Sequence, residues 1–290
     1  MKEIAIIGPT ASGKTSLSIE IAHKTNSIIL SVDSLSVYKE IDIASAKPSL
    51  KERDGITHFG IDEVNVDEKY DVMEFISTYE RAKNFAKEKG KNLVIVGGTG
   101  FYVKTLKEGI SQGINEEVSL DLSIQETHAL LSSLDIEYMQ NIASNDSYRI
   151  KKAYSIYKIS GLVPSKYFKQ NPKVPISPDL KIFEILWPRE ELKKRIALRS
   201  KIMLNDGLID EVIFLEKKYA REANAMNSIG ILETLEYLDG KLTREELVNK
   251  ISMNTARLAK RQVTFNKGQF DESKHSNIIE NLNKVILKFF

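Results

Sequence analysis

The chain has 290 residues, of which 42% are hydrophobic and 28% charged, a balance typical of a globular protein with two domains or one enlarged domain. The formal net charge of +2 excludes a uniformly basic surface, so any nucleic-acid contact requires a local basic patch. The absence of cysteine excludes disulfides, thiolate chemistry and cysteine-based zinc modules, and no apolar run approaches the roughly 18 residues of a membrane helix.

The first predicted elements are an apolar strand at residues 4–7, a loop at residues 8–15 and a helix at residues 16–23. The loop has the spacing glycine, four residues, glycine, lysine, threonine, which after a strand and before a helix is typical of a phosphate-binding loop. Gly8 and Gly13 allow consecutive N–H groups to face one anion, and the helix N-terminus adds positive charge. Lys14 supplies a mobile cation, and the Thr15 hydroxyl is a candidate ligand for Mg²⁺. The sequence therefore predicts a site for a phosphate or diphosphate.

The next elements alternate between strands and helices, with strands at residues 27–32 and 93–96 and helices at residues 72–89 and 101–107. This alternation predicts an α/β fold in which helices cover a parallel sheet. With the phosphate-binding loop at its start, the predicted fold class is α/β with a P-loop NTPase-like core.

Two polar residues, Asp33 and Thr99, follow predicted strands of this core. Ligands of open α/β sheets bind beyond the carboxyl ends of the strands, so both residues face the crevice of the phosphate-binding loop. Asp33 could ligate Mg²⁺ through water or accept a proton, or it could only cap the strand end. Thr99 lies between Gly98 and Gly100, which could admit a ligand or could serve only the shape of a tight turn. Their positions alone leave both alternatives open.

The character of the chain changes between residues 112 and 170, where β-branched runs are missing and the pattern is helical. The predicted helices of this stretch span residues 120–131, 136–143 and 147–159. A proline-marked linker at residues 171–178 follows, and a buried strand at residues 180–186 resumes the sheet. We therefore predict an all-α insertion, residues 112–175, in a core formed by residues 1–111 and 176–290.

The remainder of the core is predicted to be helical, with helices at residues 189–204, 208–220, 230–238 and 244–260. The segment 277–290 places several apolar residues near one helical face, which favours a docked final helix over a membrane anchor. Because the chain enters a strand within three residues, we expect no signal peptide and a cytoplasmic location.

Basic residues are concentrated in two predicted helices, at residues 148–152 and 257–267. Such faces are usually solvated surface, but beside a phosphate site they are also a possible nucleic-acid footprint. Arg195 and Arg199, four residues apart, could face the phosphate crevice or pair with nearby acids. Lys47 could reach a phosphate, although a solvated lysine is the commoner case, and His58 is interpreted as a structural hydrogen-bonding group. No histidine spacing predicts a metal site.

At this point several motifs match one family in order. The chain resembles the tRNA dimethylallyltransferases, also called tRNA isopentenyltransferases, through the loop at residues 8–15, Asp-Ser-X-X-Val-Tyr at 33–38, Asp-Ile-Ala-Ser-Ala-Lys-Pro at 42–48, Val-Gly-Gly-Thr-Gly-Phe-Tyr at 96–102, Asn-Asp-X-X-Arg-Ile at 145–150, Gly-Leu-Ile-Asp-Glu-Val at 207–212, Ile-Gly-X-X-Glu at 229–233 and Ala-Lys-Arg-Gln-X-Thr at 259–264. The loop alone occurs in many families, whereas the ordered set is specific.

The resemblance implies transfer of a dimethylallyl group from dimethylallyl diphosphate to the exocyclic N6 amine of the adenosine 3′-adjacent to the anticodon, with release of pyrophosphate. It implies Mg²⁺ as cofactor and the tRNA anticodon stem-loop as partner, and we expect no membrane partner and a monomer. The implied catalytic residues are Lys14, Asp33 as general base and Thr99. The implied diphosphate-binding residues are Gly8, Pro9, Thr10, Ala11, Ser12, Gly13, Lys14, Thr15 and Arg195, with Thr15 as metal ligand. The implied tRNA-binding residues are Asp33, Ser34, Leu35, Ser36, Thr99, Tyr148, Arg149, Ile150, Lys151, Lys152, Arg257 and Arg261.

Two other interpretations of the residues remain. A small-molecule kinase would use the same loop to bind ATP, but no lid with paired arginines is recognisable and the basic helix at residues 257–267 would have no role. A non-catalytic RNA-binding protein could use the loop as a structural anion site, but Asp33 would then be unexplained. Incubation with tRNA and either dimethylallyl diphosphate or ATP, followed by mass measurement of the nucleosides, distinguishes these two interpretations from the transferase.

Overall fold

Six parallel strands form the central sheet of the computed structural model, which describes residues 1–111, 114, 116, 118–270, 274–276 and 279–290. The strands, in chain order, are β1 Glu3–Ile7, β2 Ser27–Ser31, β3 His58–Phe59, β4 Asn92–Gly97, β5 Lys181–Ile185 and β6 Lys274–Ser276. Their order across the sheet is β3-β2-β4-β1-β5-β6. The α/β fold class with a parallel core is confirmed. The strands β3 and β6 were not predicted, because each is too short to show a hydrophobic pattern.

The sheet core is apolar because its central strands are covered on both faces, as parallel strands generally are. In the register of the sheet, Ile6 of β1 lies beside Val96 of β4 and Phe183 of β5. The predicted strands at residues 4–7, 27–32, 93–96 and 180–186 all occur, each with bounds within one residue of the observed ones.

Three helices of the first part of the chain each follow a strand of the sheet in sequence. They are α1 Lys14–Thr25, α2 Val72–Glu88 and α3 Gly100–Glu108. The start of α2 is defined by a capping box, in which the Asp71 side chain accepts from Met73 N at 2.8 Å and Glu74 accepts from Asp71 N at 3.0 Å. This cap explains why the predicted helix at residues 72–89 begins at the observed residue.

The chain divides into two compact units, one formed by Met1–Leu106 and Asp179–Phe290 and the other by Lys107–Pro178. The second unit, which we call the insertion, contains α4 Ile124–Leu134, α5 Ile136–Met139, α6 Ser147–Ser160 and α7 Pro164–Gln170. Its own core is formed by residues such as Leu131, Ile150 and Tyr154. The boundaries from the sequence, 111/112 and 175/176, differ from these by a few residues, and residue 112 lies outside the described residues.

Two helices of the insertion differ from their predictions. The helix predicted at residues 120–131 begins at Ile124, because Ser123 and Glu126 form a capping box there. The helix predicted at residues 136–143 is the short α5, which ends at Met139.

After β5, the helices of the first unit are α8 Arg189–Asn205, α9 Leu208–Tyr219, α10 Ile231–Leu238, α11 Arg244–Gln269 and α12 Ile279–Leu287. The prediction ended α11 at residue 260, whereas the helix continues for nine more residues. A second apolar core joins α8 to α11, with Leu208, Leu235 and Ile251 at its centre. No described helix combines the length and apolar character needed to cross a bilayer.

The docked final helix is confirmed, since Leu282 and Ile286 of α12 are buried in the core that contains α1 and β1. Val285, predicted on the same face, is exposed instead. Residues 277 and 278 of the predicted segment lie outside the described residues.

Candidate functional site

The loop between β1 and α1 has the backbone geometry of an anion cradle. Gly8 has φ +152° and Gly13 has φ +91°, and a Cβ on Gly8 would lie 2.7 Å from the Ile185 carbonyl oxygen. Glycine is therefore required at Gly8 by both conformation and space. In the described part of the chain, the N–H groups of Gly13, Lys14 and Thr15 have no hydrogen-bond partner, as expected at a helix start. These donors can bind an anion.

Lys14 lies within the cradle, where its Nζ donates to the Pro9 carbonyl at 2.7 Å. Burial and the neighbouring Arg199 charge lower the pKa of Lys14 to about 7, and the Asp33 charge opposes this shift. Without a bound anion the lysine is thus only partly protonated at neutral pH. A bound phosphate favours its charged form.

Two arginines of α8 contact the loop. Arg195 donates from Nε to the Ala11 carbonyl at 2.7 Å, and its guanidinium lies 4.5 Å from the Trp187 ring centroid. Arg199 donates to the Thr10 hydroxyl at 3.3 Å, and no carboxylate of the described residues lies within 4 Å of it. Arg199 was considered in the sequence but not included among the site residues. Its spacing of four from Arg195 was the available signal.

Asp33 follows β2 and faces the loop. Its Oδ1 accepts hydrogen bonds from Leu35 N at 2.9 Å and Ser36 N at 3.2 Å, which orient the carboxylate. Among the described residues, no donor occupies its second oxygen, Oδ2. Asp33 therefore caps the strand end through Oδ1 and still presents Oδ2 to the cavities, so the cap does not prevent the chemical role that the sequence left open.

Two cavities meet at Asp33. The small cavity, about 90 Å³, is shared by Asp33 with Lys14, Thr15 and Arg199. The large cavity, about 560 Å³, is shared by Asp33 with Thr99, Arg261 and other residues. The structure thus brings together the predicted phosphate loop, Asp33, Ser34, Leu35 and Thr99 in the first unit. The Asp33 carboxylate therefore lies where the small cavity, with its cationic residues, meets the large cavity.

One face of α11 forms a wall of the large cavity. The residues on this face recur every three or four positions, from Ile251 through Thr255, Leu258 and Gln262 to Phe265. Ile251 and Phe265 are 14 residues apart, which corresponds to about 21 Å along a helix. The sequence did not identify this wall, because only the packing of α11 in the fold shows which of its faces borders a cavity.

Gln262 is a further residue that the sequence did not single out. Its Oε1 accepts from Thr10 N at 2.9 Å, so α11 contacts the phosphate loop directly. A Cβ on Gly98 would lie 2.4 Å from the Gln262 Nε2, which means that Gly98 leaves the space the glutamine occupies. Gln262 borders both the small and the large cavity.

The predicted tRNA-binding residues of α11, Arg257 and Arg261, are exposed, and Arg261 borders the large cavity. Those of α6 lie in the insertion. There Tyr148, Arg149 and Lys151 are exposed, and the Lys152 ammonium lies 6.0 Å from the Tyr148 ring centroid.

Ile150 differs from its neighbours on α6. Its side chain is fully buried in the core of the insertion, so the prediction that this side chain contacts tRNA was wrong. The physical reason is the helical period, which turns one residue of the basic run inward.

Two interpretations outside the loop have clear outcomes. Lys47 is not a solvated lysine, because its side chain is 3% exposed and its Nζ lies 2.8 Å from Asp42 and 2.6 Å from Asp62. His58 Nδ1 lies 2.8 Å from the Ile56 carbonyl, which agrees with a structural hydrogen-bonding group. His58 also borders the small cavity.

The side chains at the loop provide the type of donor atom that Mg²⁺ binds. The exposed Thr15 hydroxyl and the free Asp33 oxygen are oxygen donors, which Mg²⁺ prefers, and both border the small cavity. The described residues contain no cluster of three acidic or histidine side chains. This set suits an ion held by few protein ligands and by substrate phosphates.

Comparisons with known proteins agree over nearly the whole chain. The family model described as IPP transferase matches residues 36–269. The tRNA dimethylallyltransferase of Aliarcobacter butzleri (strain RM4018) is 63% identical over 290 residues, with 100% of this chain and 99% of that protein covered. The protein of the same name from Sulfurimonas denitrificans (strain ATCC 33889 / DSM 1251) is 52% identical, with 99% of each covered.

Solved structures of similar proteins have the same fold. The full-length tRNA isopentenylpyrophosphate transferase of Bacillus halodurans matches with a TM-score of 0.74 and 29% identity over 99% of this chain and 95% of that one. A eukaryotic dimethylallyltransferase acting on tRNA matches with a TM-score of 0.80 and 27% identity over 92% of this chain and 70% of that one.

Proposed function

The chain belongs to the IPP transferase family and transfers a dimethylallyl group to tRNA, and we propose that the reaction takes place at Asp33, between the small and the large cavity. The donor is dimethylallyl diphosphate, and the acceptor is the N6 amine of the adenosine 3′-adjacent to the anticodon. The observation that carries this proposal is the position of Asp33, whose carboxylate borders both the cationic cavity and the larger cavity.

The diphosphate is bound by the loop at residues 8–15. The free N–H groups at the start of α1 and the Lys14 ammonium supply the positive potential. Arg199 belongs to this site as well, because it reaches Thr10 and has no competing ion pair in the described part of the chain. Arg195 is bonded to the Ala11 carbonyl and stacked on Trp187, so it holds the shape of the loop.

Thr15 is the residue that would hold Mg²⁺ beside the diphosphate, with phosphate oxygens and water as its other ligands, which leaves the free oxygen of Asp33 to act as the base. When bound, the ion would neutralise negative charge that grows on the leaving group. The protein groups act in the same direction, because Lys14 and Arg199 border the small cavity in which the leaving group would be bound.

The chemical step joins the adenine nitrogen to the first carbon of the prenyl group. The N6 lone pair forms the new C–N bond, the C–O bond to the diphosphate breaks, and pyrophosphate leaves with the bond electrons. The amine proton passes to the free Oδ2 of Asp33, while the N–H groups of Leu35 and Ser36 hold Oδ1 in place. Thr99, whose N–H donates to the Val32 carbonyl at 3.3 Å and which borders the large cavity with Asp33, orients the base.

The adenine reaches this site by leaving its stack in the anticodon loop, as base-modifying enzymes require. The large cavity, about 560 Å³, has the room, and the rings of Phe101 and Phe265 border it. Aromatic rings stabilise extruded bases by stacking. Arg257 and Arg261 on α11, and Arg149, Lys151 and Lys152 on α6, contact the RNA phosphates.

The decisive experiment incubates the protein with unmodified tRNA, Mg²⁺ and either dimethylallyl diphosphate or ATP, followed by mass measurement of the nucleosides. We expect an adenosine enlarged by one dimethylallyl group only with dimethylallyl diphosphate, together with release of one pyrophosphate per transfer. Phosphate transfer from ATP to a small acceptor, with no prenylated nucleoside, would contradict the proposal.

A further inference from the structure

A pair of exposed aliphatic side chains borders the outer opening of the phosphate loop. Leu198 and Ile202 of α8 are 61% and 47% exposed, although both are large and apolar. They are four residues apart, so they lie on the same helical face and form a short apolar ridge. We call these two residues the α8 ridge.

The α8 ridge opens on the same anion cradle as the small cavity. A third cavity, about 310 Å³, is bordered by Ala11 to Thr15, Arg195, Arg199, Leu198 and Ile202. Lys14, Thr15 and Arg199 border both this cavity and the small cavity. The cradle is therefore open on two sides, inward to Asp33 and outward to the α8 ridge.

The outer opening combines two kinds of chemistry on one helical face. Arg195 and Arg199 alternate with Leu198 and Ile202 along α8, so cations and aliphatic groups lie together above the cradle. The ridge continues towards another surface depression, which Ile202 shares with Leu50, an aliphatic side chain 81% exposed. Such a surface complements a ligand that has a doubly charged head and a long apolar chain.

We propose that this outer opening binds allylic diphosphates longer than the five-carbon substrate, with the diphosphate on the loop and the chain lying outward on the α8 ridge. The proposal rests on the diphosphate site of the proposed function, because both ligands use the same cradle. Bound this way, the first carbon of the longer chain points away from Asp33. The longer diphosphate is therefore not transferred, and it competes with dimethylallyl diphosphate.

Direct binding tests the proposal without tRNA. Calorimetric titration in Mg²⁺ buffer compares inorganic pyrophosphate, dimethylallyl diphosphate, geranyl diphosphate and farnesyl diphosphate. We expect farnesyl diphosphate to bind at least about tenfold more tightly than pyrophosphate, since each buried methylene group adds favourable free energy. Equal affinities for farnesyl diphosphate and pyrophosphate would overturn the proposal.

Variants of the α8 ridge test where the prenyl chain of the bound diphosphate lies. The double change Leu198→Ser and Ile202→Ser should reduce the affinity for farnesyl diphosphate about tenfold and leave that for pyrophosphate unchanged. The matched control, Ile213→Ser on α9, removes an aliphatic side chain of similar exposure, 45%, that borders none of the three cavities, and it should have no effect. An unchanged farnesyl diphosphate affinity in the double variant would overturn the proposal.

The transfer assay separates this inference from the proposed function. We expect farnesyl diphosphate to inhibit dimethylallyl transfer competitively and to yield no farnesylated adenosine. Farnesyl transfer to tRNA would mean that the chain enters the large cavity instead, which would contradict the inference and leave the prenyltransferase assignment intact. Failure of dimethylallyl transfer itself would contradict the proposed function. The binding comparison would still show whether the α8 ridge binds the prenyl chain.

Discussion

The side chain of Asp33 is held in a way that suits proton transfer. One oxygen accepts from two backbone N–H groups, which restrict the rotation of the carboxylate, and no donor in the described part of the chain occupies the other oxygen. A base of this kind contributes by position as well as by basicity, since a weakly nucleophilic amine must lose its proton as the new bond forms.

Replacement of Asp33 by Asn or Ala should greatly slow dimethylallyl transfer and leave the binding of tRNA intact. Because neither replacement can accept the amine proton, we expect kcat to fall about 10²- to 10⁴-fold, the usual contribution of a general base. Affinity for tRNA should change little. Single-turnover transfer and filter binding measure the two effects, with the exposed Asp210→Asn as control. Near-normal transfer by Asp33→Ala would exclude Asp33 as the base.

The lowered pKa of Lys14 predicts that diphosphate binding depends on pH. Burial and the neighbouring Arg199 charge lower the pKa of Lys14 to about 7 when no anion is bound. A bound anion stabilises the protonated form, so binding above pH 7 takes up a proton. We therefore expect pyrophosphate affinity to be greatest below about pH 7 and to weaken as pH rises from 7 towards the ordinary lysine value.

Calorimetry in buffers of different ionisation enthalpy measures this proton uptake directly. Lys14→Arg keeps its charge throughout the range, so the uptake should disappear in that variant, leaving only the titration of pyrophosphate itself. Identical uptake in the wild type and in Lys14→Arg would show that Lys14 is already fully charged before binding.

At the scale of elements, α11 connects the parts of the site. A single helix carries Arg257 and Arg261 on its exposed surface, the apolar wall of the large cavity, and Gln262 on the phosphate loop. Its N-terminus is fixed by a capping box of Thr243 and Glu246, and its middle is packed on α8 through Ala259. A helix supported at these places holds its side chains more rigidly than a loop would.

Gln262→Ala should damage donor binding more than acceptor binding. The change removes the acceptor for Thr10 N–H and empties the space above Gly98, so the loop loses one of its restraints. We expect the KM for dimethylallyl diphosphate to rise about tenfold and the KM for tRNA to stay within about twofold. Steady-state kinetics with each substrate varied in turn measures the split.

The matched control for this variant is Gln269→Ala, near the end of the same helix, where the glutamine bonds Lys104 and not the loop. It should leave both KM values unchanged. A larger effect of Gln262→Ala on the KM for tRNA would place Gln262 in contact with RNA instead of in support of the loop.

At the scale of the whole molecule, the charge is nearly balanced. With a net charge of +2 on 290 residues, the attraction of tRNA depends on where the cations lie and not on their excess. The exposed basic residues of α11 in the first unit and of α6 in the insertion are the candidates for this attraction.

Binding of tRNA should therefore weaken steeply with salt, because each phosphate contact releases counterions. We expect Arg261→Ala to reduce the slope of log K against log salt by about one, the effect of one lost phosphate contact. Arg244→Ala, exposed at the other end of α11, serves as control and should keep the slope. A flat salt response in the wild-type protein would exclude a phosphate-contact surface.

The amino-acid sequence by itself determined the parts of this protein that depend on local conformation. The glycines of the loop at residues 8–15, the apolar strands and the motif order predicted the phosphate cradle, the parallel core and the family. These features are readable because backbone conformation and hydrophobic period act over a few residues. The same period, applied strictly, would also have placed Ile150 in the core and not among the RNA contacts.

The tertiary structure alone decided which distant side chains meet. Gln262 reaches Thr10 across 252 positions of the chain, and Arg199 reaches the same residue across 189. Lys47 is buried and paired with Asp42 and Asp62, whereas its place in the sequence favoured a solvated lysine. Such meetings depend on how α8 and α11 pack on the sheet, and packing is a property of the whole core that no single window of sequence contains.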